Sequence, residues 1–327
     1  MKLVQTLVVR DEIDVIDTQI SYHLSAGVDF VIASDHDSKD GTAEILEAHE
    51  RAGHLQLIRR SGPLHESAWR TEMARLAAAE HGADWVINTD GDEFWMPWGG
   101  SLKDVLLAVP SEYGVVWALT RHFVPRPDTD EAFTERMLAR LSQKAAINDP
   151  TSPYRPHAKA AHRGVADVVV RFGSHIAYAP SLRPLRDWYP ADVLHFPIRS
   201  REQYERKGVR RAHGDKPLGQ YVRASLASDQ GRISSAFDGL VVDDDALRRG
   251  LEAGSLVLDT RLRDAMRHDV PEAASHSTAQ RVQALVEGAA LRDADLVRVQ
   301  RRLDQLAVRV ERVDNRPPTR RGRTATA

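Results

Sequence analysis

Ala83-Asp-Trp-Val-Ile-Asn-Thr-Asp-Gly-Asp-Glu-Phe-Trp-Met-Pro97 is the stretch from which the rest of the chain is read. Trp85 to Thr89 is a short, mostly apolar run bounded by polar residues, the pattern of a buried strand. It ends in closely spaced carboxylates, Asp90, Asp92 and Glu93, with Gly91 free to turn the backbone between them. Carboxylates this close repel one another unless a positive group sits among them. A hard divalent cation meets that need, because Mg²⁺ takes oxygen ligands and shares itself with substrate phosphates. An acidic turn after a strand is the plain alternative. However, Trp95, Met96 and Trp98 carry the chain into a bulky apolar segment rather than a solvated loop.

The 327 residues suit one large domain or a domain with appendages. Hydrophobic residues make up 42% and charged ones 28%, a balance that can bury a sizeable core. Lys and Arg number 45 against 47 Asp and Glu, so net charge gives no reason to expect a nucleic-acid partner. The chain has no cysteine, which excludes disulfides, thiolate metal sites and a Cys nucleophile and fits a reducing compartment. The N-terminal apolar run is shorter than a signal-peptide core and is broken by Gln5. No segment approaches the roughly 20 apolar residues of a membrane span. The expected location is the cytoplasm.

Outward from the central stretch, apolar runs alternate with helical patterns. Leu3 to Val9 reads as a strand, followed by Ile13, Ile16, Ile20 and Leu24 at helical spacing, with Gly27 as a stop. Phe30 to Ala33 is the second strand, and Asp40 or Thr42 can cap the helix after it. Leu55 to Ile58 is the third strand, with a helix from about Glu66 to Glu80 leading to Trp85. This order predicts an α/β fold, a mostly parallel sheet with helices on both faces. Ligands of such sheets bind outside the carboxyl ends of the strands. Those ends carry Arg10 and Asp11, then Asp35 and Asp37, then Asp90 and Asp92. The glycine-rich motifs of dinucleotide-binding folds and P-loop nucleotidases are absent.

Val9-Arg10-Asp11-Glu12, the loop Asp35-His-Asp-Ser-Lys-Asp-Gly-Thr42 and Asp90-Gly-Asp-Glu-Phe94 together resemble the family 2 type of glycosyltransferase with the GT-A fold. The match is to the branch whose metal motif reads Asp-x-Asp-Glu-Phe. The resemblance covers about the first 125 residues and returns near His195. It implies that Val9, Arg10, Asp35, Asp37 and Asp40 hold the nucleoside of a nucleotide-sugar donor. It also implies that Asp90 and Asp92 hold Mn²⁺ or Mg²⁺ on the donor diphosphate. Arg75 stands where such enzymes often carry a basic residue on the preceding helix. A helix cap explains Asp40, and a solvated helix position explains Arg75, equally simply.

Ser101 to Val109 reads as a helix and Gly114 to Leu119 as a strand, leading to a loop of Pro and positive charge from Arg121 to Pro127. The acceptor is expected there in the fold resembled. From Ala132 to Arg163 periodicity is weak and no element is assigned. Val165 to Phe172 reads as a strong strand. Val193 to Phe196 is a brief strand, and Ser200 with Gln203 forms a capping pair opening a helix. His195 therefore ends a strand, and the resemblance makes it a further metal ligand or diphosphate contact. An imidazole beside two carboxylates suits Mn²⁺. His175 is the rival. Arg199, Lys207 and Arg210 are candidates to neutralise phosphate, and Glu93 stands beside the metal motif. A transferase needs a carboxylate to take the acceptor proton. Asp187 and Asp192 lie between the two histidines, and spacing selects neither.

Leu296, Val299, Leu303, Leu306, Val310 and Val313 alternate three and four apart, a short heptad seam for packing or self-association as a homo-oligomer. Arg316 to Ala327 is basic and without apolar period, and reads as a disordered tail capable of weak contact with a membrane surface. The expected organisation is a nucleotide-sugar half at 1–125, an acceptor-side half at 126–270, a helical segment at 271–315 and the tail at 316–327. The resemblance implies a metal-dependent, inverting transfer to a saccharide or glycolipid acceptor. A nucleotidyltransferase on a related sheet and a non-catalytic scaffold are the alternatives.

Overall fold

The computed structural model describes residues 1–142, 157–186, 188–212 and 231–267, with the backbone alone for 209–212. The heptad seam, the basic tail, Asp187 and the side chain of Arg210 lie outside the described residues. The first half alternates as expected: β1 (Leu3–Val9), α1 (Ile16–Ser25), β2 (Phe30–His36), α2 (Thr42–Arg51), β3 (Leu55–Arg60), α3 (Glu66–Ala79) and β4 (Trp85–Asp90). Next come β5 (Glu93–Pro97), α4 (Leu102–Leu107), β6 (Val115–His122), α5 (Phe133–Arg136), β7 (Ala139–Leu141) and β8 (Ala158–Arg163). The chain continues through β9 (Val169–Arg171), β10 (Ile176–Tyr178), β11 (Ala191–His195), α6 (Arg201–Ala212), α7 (Ile233–Asp238), α8 (Asp244–Glu252), β12 (Leu256–Leu258) and α9 (Arg261–Arg267).

Among the described residues, eight strands form one sheet in the order β3-β2-β1-β4-β8-β6-β11-β5. The β1 to β4 group pairs in parallel, as do β6 and β11, while β8 and β5 run against their neighbours. Alternation along β1 sorts the core. Leu3 and Leu7 join Ile16 and Ile20 of α1 on one face. Val4 joins Met73 and Ala77 of α3 on the other. The sheet is thus covered by helices on both sides. Strand direction also builds one edge that gathers the candidate site residues. The carboxyl ends of β1, β2, β4, β6 and β11 meet there with the amino ends of β5 and β8.

Three local expectations are corrected. The strand expected over Val165 to Phe172 shrinks to β9, because Val165 to Val168 closes a turn, Val168 N–H donating to Val165 O at 3.5 Å, and β9 itself is also bonded to α3. Val170 N–H donates to Thr71 Oγ1 at 3.0 Å, and the Thr71 hydroxyl donates to Val170 O at 3.1 Å. The unassigned region from Ala132 to Arg163 contains β8, a central strand. Finally, the cap of α2 is Gly41 at φ 102°, and Asp40 acts one residue earlier by accepting from Thr42 N and Oγ1 at 3.1 and 2.6 Å.

Candidate active site

Two charge clusters occupy this edge. In the first, Asp90 ends β4 and both its oxygens are taken. Arg70 of α3 donates to Oδ1, and Lys159 of β8 donates to Oδ2 at 2.7 Å. Lys159 also lies 3.0 Å from Glu93 Oε1 and donates to Gly173 O at 2.7 Å. Glu93 Oε2 accepts from Asp90 N–H at 3.0 Å. Burial works to raise the Asp90 pKa, but Lys159 and Arg70 outweigh it and hold the carboxyl well below its usual range. For Glu93 the balance reverses: burial prevails over Lys159, and the carboxyl is pushed up to about 7.

The second cluster surrounds Asp92. Lys207 Nζ lies 3.3 Å from Oδ2, Arg199 Nη1 lies 3.6 Å from it, and His195 Nε2 stands 3.4 Å from Oδ1. Against burial, Lys207 and His195 keep Asp92 ionised, and Asp92 in turn raises His195. Arg199 is itself clasped by the turn after β1. Its guanidinium reaches Glu12 at 2.5 Å and Asp14 at 2.7 and 3.0 Å. Lys207 lies 2.5 Å from Glu12. Helix α6 is seated over the edge by these pairs. Its start is built as the sequence suggested, with Gln203 N–H donating to Ser200 Oγ at 3.1 Å. The Gln203 side chain, however, accepts from Arg199 N–H rather than from Ser200.

The loops after β1 and β2 are stitched together beside this cluster. Val9 pairs in register with Asp35. Asp11 N–H donates to Ser38 Oγ at 3.0 Å, Lys39 N–H donates to Asp11 Oδ1 at 2.8 Å, and Ser38 donates to Asp35 Oδ1 at 2.5 Å. Asp11 and Asp37 hold φ of 52° and 55°, left-handed conformations that cost a non-glycine residue energy. Asp40 lies within 3.6 Å of Arg206, and Arg10 within 3.7 Å of Asp11. The Val9 side chain is part of the core, so only its backbone faces the edge.

Other sequence candidates are placed elsewhere. Arg75 donates to Val168 O at 2.8 Å and lines a cleft of about 700 Å³ between α3 and β9, away from Asp90. The basic residue of α3 at the site is Arg70, one and a half turns earlier. His175 directs Nδ1 to Ala158 O at 2.8 Å, and burial, aided by Lys159, pushes it down to about 4. It does not join Asp92. Asp192 is unsuited to act as a base. It is fully buried, with Oδ1 accepting from Arg121 at 2.7 Å and Oδ2 from Arg261 at 2.9 Å. Strand parity carried that signal, because Asp192 and His195 are an odd number of residues apart on β11 and face opposite sides. Sequence reasoning missed Arg70, Lys159, Glu12, Asp14 and His122. The last sits with Nδ1 3.0 Å from Nδ1 of His195. Glu12 and Asp14 had a readable signal, as acids directly after β1. Lys159 had none, because its strand has no clear period.

Among the described residues, no group of three or more His, Asp or Glu side chains is arranged to hold a metal ion. Asp90 carries one cationic partner on each oxygen, Arg70 on Oδ1 and Lys159 on Oδ2. Asp92 and His195 differ. Their 3.4 Å separation exceeds the roughly 2.7–2.9 Å of a tight charge-assisted hydrogen bond, and the pair presents an oxygen and a nitrogen to one point. Two side chains suffice for Mg²⁺ or Mn²⁺ when substrate phosphate and water complete the shell.

No family model matches the chain, and no curated protein does. Among solved structures, S. aureus TarS is 12% identical over 71% of this chain, at a TM-score of 0.33, and this chain spans 43% of its length. TarS 1–349 in complex with UDP-GlcNAc is 12% identical over 72% of this chain and 73% of that one, at 0.35. Glucosyl-3-phosphoglycerate synthase from Mycobacterium tuberculosis, in complex with Mn²⁺, UDP and phosphoglyceric acid, is 21% identical over 41% of this chain and 45% of that one, at 0.24.

Proposed function

We propose that this chain is a metal-dependent glycosyltransferase, moving a sugar from a nucleoside-diphosphate donor to an acceptor hydroxyl. The observation that carries this reading is the Asp92 cluster. A carboxylate and an imidazole sit 3.4 Å apart, flanked by Lys207 and Arg199, at the strand edge where ligands of such sheets bind. Asp92 and His195 are the residues that would hold Mn²⁺ or Mg²⁺. When bound, the ion supplies positive charge to the departing diphosphate.

The chain's own residues do the remaining work in this reading. Lys207 and Arg199 share the diphosphate charge, and their pairing with Glu12 and Asp14 keeps both cations positioned before the donor arrives. The backbone at Val9 and Arg10, with Asp35 and Asp37, forms the nucleoside seat. Asp40 supports it through Thr42. Lys159 and Arg70 keep Asp90 ionised and immobile beneath the donor. Asp187 is the remaining sequence candidate for the base that takes the acceptor proton. One displacement with inversion, and a surface polysaccharide or glycolipid acceptor, complete the proposal. No helix among the described residues is long and apolar enough to cross a membrane.

Calorimetric titration of UDP, GDP and dTDP, each with and without Mn²⁺, tests the reading. The expected result is binding of one nucleotide that strengthens at least tenfold with Mn²⁺ and loses that gain in Asp92→Asn. Binding of none of the three, or a gain unchanged in Asp92→Asn, would overturn it.

A further inference from the structure

His122 has no part in the proposed transfer, yet its ring lies against that of His195. His195 ends β11 and His122 ends β6, two parallel strands in which these residues are register partners. Phe123 N–H donates to His195 O at 2.9 Å, clamping the strand ends together. The side chains then meet nitrogen to nitrogen, Nδ1 to Nδ1, at 3.0 Å. His122 is only 5% exposed, so the contact is shielded from competing water.

With His195 neutral, the form in which a histidine ligates a cation, two imidazoles joined this way share one proton between the facing nitrogens: one ring donates and the other accepts. The assignment decides what His195 presents on its far side, where Nε2 faces Asp92 Oδ1 at 3.4 Å. When the His195 proton is on Nδ1, it is donated to His122, whose own proton is then on Nε2. The His195 Nε2 lone pair then faces the carboxylate, and two electron-rich atoms converge on one point. When the proton is on Nε2 instead, His195 donates to Asp92 and His122 donates to His195. The point of convergence is then closed. Interconversion moves one proton from Nε2 to Nδ1 on His195 and one from Nδ1 to Nε2 on His122, so protons and charge balance.

We propose that His122 is a positioning residue, which by accepting at Nδ1 fixes His195 in the tautomer that offers Nε2 beside Asp92 to a divalent cation. This rests on the reading of Asp92 and His195 as the cation site. Imidazole suits position 122 because its Nδ1 can accept or donate without the ring moving. A residue that only donates would close the site, and an apolar one would leave the His195 Nδ1–H buried without an acceptor.

The test uses the full chain saturated with whichever of UDP, GDP and dTDP binds in the titration above. Free Mn²⁺ is followed by electron paramagnetic resonance in wild type, His122→Leu, His122→Asn and Asp92→Asn. Histidine ring ¹⁵N shifts are recorded with diamagnetic Mg²⁺. The expected outcome is a roughly 10–100-fold weaker Mn²⁺ affinity in His122→Leu, with recovery to within a few-fold in His122→Asn, whose amide oxygen can accept. In wild type, the shifts should place the His195 proton on Nδ1 when Mg²⁺ is bound. Wild-type affinity in His122→Leu, or an Nε2-protonated His195 in the Mg²⁺ complex, overturns this inference alone. If wild type and Asp92→Asn take up Mn²⁺ equally, the cation-site reading fails and this inference falls with it. The ring shifts of wild type keep the question decidable should His122→Leu fail to fold.

Discussion

Asp90 and Asp92 are two residues apart, but their neighbours separate their roles. Arg70 and Lys159 pair with the two oxygens of Asp90, while Asp92 turns one oxygen toward His195 and the other toward Lys207. Identical side chains in one motif therefore differ by what reaches them from α3, β8 and β11. Neutral histidines show the same dependence on surroundings. His23 places Nδ1 2.8 Å from Gln19 O, and its Nε2 accepts from Trp95 N–H at 3.1 Å, so protonation at Nε2 would break a buried bond. Burial pushes His23 and His162 down to about 4, against some support from their backbone bonds. The unfolded chain therefore binds protons that the folded chain refuses between about pH 6.5 and pH 4. Stability from these groups is fully present above that window and lost as pH falls through it, at about 1.4 kcal/mol per pH unit for each histidine. The urea midpoint should drop steadily between pH 7 and pH 5. A flat midpoint over that range would contradict the neutral assignment.

At the scale of elements, β8 decides the most. It lies between β4 and β6, antiparallel to both, and joins the two halves of the sheet. It also brings Lys159 to the edge that holds the candidate site. Its sequence, Ala-Lys-Ala-Ala-His-Arg, has neither clean alternation nor β-branched residues, so local pattern does not announce a strand. Pairing on both sides supplies what propensity lacks. The strand ends where Gly164 N–H donates to Asp84 O at 3.0 Å, and an added Cβ there would fall 1.9 Å from Ala83 O. The obstacle is backbone, not a flexible side chain, so β8 or the start of β4 would have to shift. Gly164→Ala should cost roughly 2–3 kcal/mol, read as a lower thermal midpoint. Its affinity for the nucleotide below the transition should fall too, because Lys159 moves with the strand. Unchanged stability would mean that the β4–β8 junction is looser than described. Helix α3 shows the complementary case. Its existence was legible from periodicity, but the choice of Arg70 over Arg75 depended on where the helix sits against β4. A helix repeats every 3.6 residues, so a five-residue difference changes the face presented.

Across the whole molecule, a buried ionic chain ties the last described segment to the sheet. Arg121 of β6 pairs with Asp192 of β11, Asp192 with Arg261 of α9, Arg261 with Asp259, and Asp259 with Arg140 of β7. Asp192→Asn would take the carboxylate from the buried Arg121 guanidinium, while Arg261 keeps Asp259. The expected cost is about 3–5 kcal/mol in urea unfolding, with nucleotide binding retained while the protein is folded. Full stability with abolished turnover would instead return Asp192 to the role of base. The sequence by itself determined the order of strands and helices in the first half and the gathering of acids at one sheet edge. Those features follow from periods of 2 and 3.6 residues, which are local and readable along the chain. Only the tertiary structure decided which charges meet. The partners of Asp90, Asp92 and Asp192 include residues on β8, α6 and α9, as far as 115 positions away. Such pairs depend on strand order, strand direction and helix placement. These are set by long-range packing, and no short window of residues encodes them.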